Sequence, residues 1–128
     1  RMILNFGHTF AHGFEATNKF SKKMNHGEAV LLGMMIASEL SLKKRMLSIK
    51  DFNLIKQHYI NLNLPFNIKK KFKKKEIKKI VYFMEKDKKN FNKKINLILI
   101  KKIGQVTRPN SIHFGREFIK NFLMNLYK

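Results

Sequence analysis

Asn5-Phe6-Gly7-His8-Thr9-Phe10-Ala11-His12-Gly13-Phe14-Glu15-Ala16-Thr17 sets Phe6, Phe10 and Phe14 four residues apart, a spacing that stacks them on one face of a helix. His8 and His12 are also four apart, so on that helix their imidazoles point the same way and can converge on one centre. Residues 27–45 follow as a longer segment, nearly apolar in its first half and polar at Leu42-Lys43-Lys44-Arg45. They read as a buried central helix whose basic C-terminal end complements the helix dipole. His26 stands at the N-terminal turn of that helix, where it can meet the first one.

The remaining chain repeats the helical period. Residues 48–62 open on the capping residues Ser48 and Asp51, carry apolar positions at Phe52, Ile55 and Tyr59, and stop at Leu64-Pro65. Residues 69–87 place Phe72, Ile77, Ile80, Val81 and Met84 among many lysines, which read as a solvated face with stems lying over apolar neighbours. Ile95-Asn96-Leu97-Ile98-Leu99-Ile100 is the one convincing strand, with no identifiable partner. A last helix over 115–126 gathers Phe118, Ile119, Phe122, Leu123 and Leu126 on a face. No repeat and no Pro/Gly/Ser-rich linker divides residues 1–128. The expected fold is therefore mainly α: a single multi-helix domain with one short β-strand or hairpin near the C-terminus.

Composition narrows the function classes. The chain has 128 residues, with 28 Lys+Arg against 8 Asp+Glu and a formal net charge of +20. At 44% hydrophobic residues with 12 Phe it can still bury a core. The absence of cysteine excludes disulfide scaffolds, cysteine zinc fingers and thiol nucleophiles. The longest apolar stretch, 29–37, is far short of the roughly 20 residues that cross a bilayer, so no membrane partner is expected. Arg1 leads directly into an apolar run without an initiator Met or leader pattern, and the expectation is a piece of a longer, cytoplasmic protein.

So high a charge suggests nucleic acid, whose phosphates bind Lys and Arg. Yet arginine, the residue favoured for reading guanine, occurs only at Arg1, Arg45, Arg108 and Arg116. The accompanying richness in Asn, Ile and Phe makes compositional drift the better explanation, and a nucleic-acid partner is not expected.

Chemistry concentrates in residues 1–28. His8, His12 and His26 with Glu15 and Glu28 are the residue types of a nitrogen/oxygen metal site. The histidine pair lacks the Glu of H-E-x-x-H, so a zincin protease is disfavoured. Glu28 near a helix start also suits the dipole, and Glu15 also fits an ordinary polar face.

The blocks Arg1-Met2-Ile3-Leu4-Asn5-Phe6-Gly7-His8-Thr9-Phe10-Ala11-His12-Gly13-Phe14-Glu15 and His26-Gly27-Glu28-Ala29-Val30, with Gly33-Met34, resemble the 3-dehydroquinate synthase family. Its pattern reads R-x-x-L-N-x-G-H-T-x-G-H-x-x-E, then H-G-E-A-V-x-x-G-M. Leu64-Pro65 is similar to the family's Gly-Leu-Pro turn with Asn63 in place of Gly, and Asp87-Lys88-Lys89 to its Asp-Lys-Lys segment. Ile95 to Ile100 with Ile103-Gly104 are similar to its closing hairpin. The resemblance covers nearly the whole chain, and only as the family's C-terminal helical domain. Ala11 departs from it, since Gly usually stands there; one methyl is expected to be tolerated.

The resemblance implies a carbon–oxygen lyase dependent on NAD and on zinc (or Co2+). Such an enzyme converts 3-deoxy-D-arabino-heptulosonate 7-phosphate to 3-dehydroquinate and phosphate in the shikimate route to chorismate and the aromatic amino acids. It implies that His8 and His26 are metal ligands, with a third ligand, a Glu, in the family's N-terminal part and outside this chain. His12 matches the catalytic, substrate-contacting histidine that moves protons near the phosphate. Arg1, Asn5, Lys88 and Lys89 match positions that hold the substrate's phosphate and carboxylate. NAD is bound mainly by the family's N-terminal domain, which this chain lacks, and no Gly-rich phosphate loop follows a strand here. The implied partners are that domain, the heptulosonate phosphate and, at full length, a second copy in a homodimer. Alone, the chain is expected to be inactive. Two rivals remain: a related sugar-phosphate cyclase with another substrate, and a degenerate basic fragment that binds nucleic acid.

Overall fold

The computed structural model describes residues 6–19, 24–87 and 94–128. Gly7, left-handed at φ 80°, turns the chain into α1 (His8–Thr17), so the first helix begins three residues later than the phenylalanine spacing predicts. Phe6 lies before the helix and is buried nonetheless. Within α1, Phe10 and Phe14 are wholly buried with ring centroids 6.4 Å apart, and Phe14 meets Phe72 at 5.4 Å. Burying each such ring contributes roughly 1.5–3 kcal/mol.

The second helix, α2 (His26–Lys43), is buried along most of its length, from Ala29 through Leu32, Met35, Ile36 and Leu40. It packs on α1 and on α3 (Ile49–Asn61). Ser48 caps α3 by accepting from the Asp51 amide at 3.1 Å, as its sequence suggests. Of the apolar α3 positions, Phe52 and Tyr59 are buried and Ile55 is half-buried, and the Tyr59 hydroxyl donates to the Leu31 carbonyl at 2.6 Å.

The α1–α2 contact is a backbone contact. A Cβ on Gly33 would lie 2.5 Å from the Gly7 carbonyl oxygen and 3.0 Å from the Ala11 nitrogen; one on Gly7 would lie 2.6 Å from the Met34 nitrogen. Ala11, the departure from the family pattern, continues the helix with its methyl 3.3 Å from that imagined Gly33 Cβ. On another side of α1, a Cβ on Gly13 would press on α4 (Ile77–Glu85), 2.9 Å from the Ile80 carbonyl oxygen.

The lysine-rich segment departs from its predicted single helix. Residues 68–70 and 74–76 are short 3-10 turns, and regular helix begins only at Ile77. Like charges three and four apart oppose helix propagation. The Asn67 and Glu76 side chains instead bind local amides, those of Lys69 at 3.0 Å and Lys73 at 2.7 Å. The apolar positions hold as read: Phe72, Ile77, Ile80, Val81 and Met84 are buried, while Lys73, Lys74, Lys75, Lys78 and Lys79 are exposed.

The predicted strand is two strands. β1 (Lys94–Leu97) pairs antiparallel with β4 (Ile112–Gly115), Ile95 opposite Phe114 and Leu97 opposite Ile112. β2 (Ile100–Lys102) turns at Ile103-Gly104 into β3 (Gln105–Val106), with a register irregularity. Thr107 pairs with Leu99, just before β2: its hydroxyl accepts from the Leu99 amide at 3.0 Å and its own amide donates to the Leu99 carbonyl at 2.8 Å. Ser41 of α2 ties in the hairpin by accepting from the Ile100 amide at 3.0 Å. α5 (Arg116–Asn125) closes the core with Ile119, Phe122 and Leu123 against α4. Among the described residues no helix is long and apolar enough to cross a membrane.

Gly33→Ala must push α2 off the Gly7 carbonyl and is expected to lose about 1–3 kcal/mol in denaturant unfolding, the usual cost of overpacking. Gly115→Ser, at a helix start with open space around it, should be neutral or slightly stabilising in the same assay. Burial pushes the Tyr59 phenol up from 10.0 to about 12. Its folded pKa therefore lies above its unfolded one, so this group's contribution is complete below pH 10 and is lost as the pH rises towards 12. Tyr59→Phe is expected to cost about 0.5–1.5 kcal/mol at neutral pH and to flatten the fall in melting temperature over that alkaline window.

Candidate functional site

One face of α1 belongs to the core and another to solvent. Phe10, Ala11, Gly13 and Phe14 are buried, while His8 and His12 are exposed and Glu15 is partly so. At 3.6 residues per turn, positions i, i+4 and i+7 fall within one narrow sector. His8, His12 and Glu15 therefore form a polar stripe along the exposed side of α1. Among the described residues neither His8 nor His12 has a hydrogen-bond partner. The helix is tied to the strand region by Thr9, whose hydroxyl donates to the Asn96 carbonyl at 3.0 Å.

The described residues that flank the start of α2 are held by hydrogen bonds. Asn18 is buried and its side-chain amide donates to the Met24 carbonyl at 3.1 Å. Asn25 then caps α2: its side-chain oxygen accepts from the Glu28 amide at 2.8 Å, and the Glu28 carboxylate accepts from the Asn25 amide at 2.9 Å. This reciprocal capping box occupies Glu28, whose observed role is helix initiation.

His26 is the first residue of α2, and its Nδ1 lies 2.7 Å from Oε2 of Glu15. The imidazole side chain is 75% exposed and the carboxylate 40%, so the pair is open to a ligand. A cavity of about 370 Å³ adjoins it, lined by Glu15, Asn18, Lys19, Met24 and Asn25. A second, of about 180 Å³, is lined by Glu28, the 63–67 turn, Lys70 and Lys71. In that turn Asn63 has φ 56°, a left-handed conformation that Asn adopts more readily than other residues bearing a Cβ. This is why Asn can stand where the family pattern has Gly.

The structure thus brings His26 to the stripe that carries His8 and His12, with Glu15 making the contact. Among the described residues no group of three or more His, Cys, Asp or Glu is arranged to hold a metal ion. Arg1, Asn5, Lys88 and Lys89 lie outside the described residues. The Glu15–His26 bond escaped the sequence reading. The i+7 spacing from His8 puts Glu15 on the histidine face, but where the next helix starts depends on the α1–α2 packing.

Comparison with known proteins places these residues in context. The family model described as 3-dehydroquinate synthase C-terminal matches residues 1–90. The 3-dehydroquinate synthase of Pelagibacter ubique is 50% identical over 123 residues, covering 96% of this chain and 33% of that protein. That of Campylobacter fetus is 40% identical over 112 residues, covering 88% of this chain and 31% of that protein. The chain therefore spans about a third of the length of these curated relatives. Among solved structures, a 2-deoxy-scyllo-inosose synthase complexed with carbaglucose-6-phosphate, NAD+ and Co2+ superposes with a TM-score of 0.69 at 21% identity. The match covers 94% of this chain and 32% of that one. At that identity it establishes a shared fold.

Removing the cap has a defined cost. Asn25→Ala is expected to lower stability by about 1 kcal/mol in thermal or denaturant unfolding, and the first turn of α2, with His26, should show the largest rise in amide exchange.

Proposed function

The chain belongs to the 3-dehydroquinate synthase family, and on that premise we propose that it is the metal- and substrate-binding part of an enzyme that converts 3-deoxy-D-arabino-heptulosonate 7-phosphate to 3-dehydroquinate and phosphate. The observation that carries this proposal is the meeting of the two histidine blocks. The exposed His8–His12 face of α1 receives the first residue of α2, His26, through a 2.7 Å contact at Glu15.

His8 and His26 are the proposed metal ligands. Two exposed imidazoles suit zinc or Co2+, and with no third ligand grouped with them among the described residues, coordination calls for a ligand from outside these helices. A metal held there would supply polarisation of a substrate hydroxyl, and NAD would supply reversible hydride transfer. NAD is assigned to the N-terminal domain of the family. His12, one turn along from His8, holds and passes a proton close to the substrate's phosphate; imidazole is suited to this near neutral pH. Arg1 and Asn5 before α1, and Lys88 and Lys89 after α4, are the proposed donors to the phosphate and carboxylate. Arg can grip such groups with two parallel hydrogen bonds, and Lys supplies a compact charge. The surrounding positive charge favours approach of a multiply anionic substrate.

The test is phosphate release from the heptulosonate phosphate by the protein expressed from its complete natural reading frame. His12→Ala should lower kcat by about 10²–10⁴-fold, the usual worth of a general acid–base group, with bound zinc unchanged. His8→Ala should lose the zinc itself. Undiminished turnover in both variants would contradict the assignment, and a different carbocyclic product would identify a related sugar-phosphate cyclase.

A further inference from the structure

We propose that Glu15 is the positioning residue for His26: its carboxylate fixes the imidazole in the tautomer that leaves Nε2 free to bind the metal. This rests on the metal site proposed above and adds a role for a residue that does not itself touch the metal.

The argument follows from donor and acceptor chemistry. A carboxylate oxygen only accepts hydrogen bonds, so the 2.7 Å contact between Glu15 Oε2 and His26 Nδ1 places the ring hydrogen on Nδ1. In the neutral ring the lone pair is then on Nε2. An unrestrained imidazole populates both tautomers and rotates freely, and a metal must select one state from that mixture. Here the bond holds both the tautomer and the ring plane, on an imidazole that is 75% exposed and so remains accessible. A carboxylate behind a metal-binding imidazole also raises the basicity of the coordinating nitrogen.

The surroundings support a dedicated role. The two residues are eleven apart and come from different helices, so the bond is not a by-product of helical spacing. Each partner is held independently of it. Glu15 sits in α1, whose opposite face is fixed by Phe10 and Phe14 in the core. His26 lies within the Asn25–Glu28 capping box and just after the Asn18–Met24 bond. Glu28, the carboxylate in the first turn of α2, is committed to that box. The ring is thus oriented before any metal arrives, which reduces the ordering that binding must impose.

Two readouts test this on the protein expressed from its complete natural reading frame: Co2+ affinity by competition with a chromophoric chelator, and ring 15N shifts of His26 in the metal-free protein. The parent should show the Nδ1–H tautomer. Glu15→Ala should shift His26 towards Nε2–H and weaken Co2+ binding by about 10–100-fold, with the helical circular dichroism unchanged. Glu15→Gln, which keeps an acceptor oxygen, should retain the Nδ1–H tautomer and lose less affinity than Glu15→Ala. Co2+ affinity within twofold of the parent in Glu15→Ala, while His26→Ala abolishes binding, overturns the positioning role alone. Unchanged affinity in His26→Ala overturns the metal site as well, and this role with it.

Discussion

The close approach of α1 to α2 at Gly7 and Gly33 is the constraint on which the molecule depends. Neither position has room for a Cβ, because each backbone occupies the space the other's side chain would need. With one face of α1 committed to α2 and Gly13 committed to α4, the exposed residues of α1 among those described, His8 and His12, fall on the remaining face with the partly exposed Glu15. The same glycines that pack the helices therefore decide which side chains are available for chemistry. Gly7 adds a second effect, since its left-handed turn starts the helix at His8 and so makes a candidate ligand its first residue.

The charge of +20 is carried without disturbing this arrangement. Lysines of the 69–79 region lie outside a core of Phe72, Ile77 and Ile80, and Lys44 spreads its charge over the ring of Phe118 at 5.3 Å. The cost is paid locally in secondary structure: dense like charge limits 69–76 to short turns, and helix begins once apolar residues dominate. Lys70 and Lys71 border the cavity beside Glu28, so part of the positive charge lies at the same end of α2 as His26.

Much of this was legible in the sequence because periodicity reports burial. The second, third and last helices, the Ser48 cap and the core positions of 72–84 follow from apolar spacing and local hydrogen-bond chemistry, whereas the start of the first helix and the 3-10 turns at 68–70 and 74–76 do not. The strand was legible as a type but not as a pair. Ile98 and Leu99 look as strand-like as their neighbours, yet the pairing with β4 ends at Leu97 and Leu99 bonds Thr107 instead. The site was legible as a set of histidines through the family resemblance, and its internal geometry was not. Glu15 could be placed on the histidine face, but its meeting with His26 depends on how far α2 is displaced along α1, which the glycine contact sets and no local pattern encodes.

The central claim is that α1 and α2 present His8 and His26 to one metal ion whose coordination is completed from beyond this chain. Anomalous diffraction at the zinc edge from zinc-loaded protein, expressed from its complete natural reading frame, tests it most directly. The account predicts one zinc with an imidazole nitrogen of each of His8 and His26 at about 2.0–2.1 Å. Zinc bound away from either imidazole, or no zinc at this face, would contradict it.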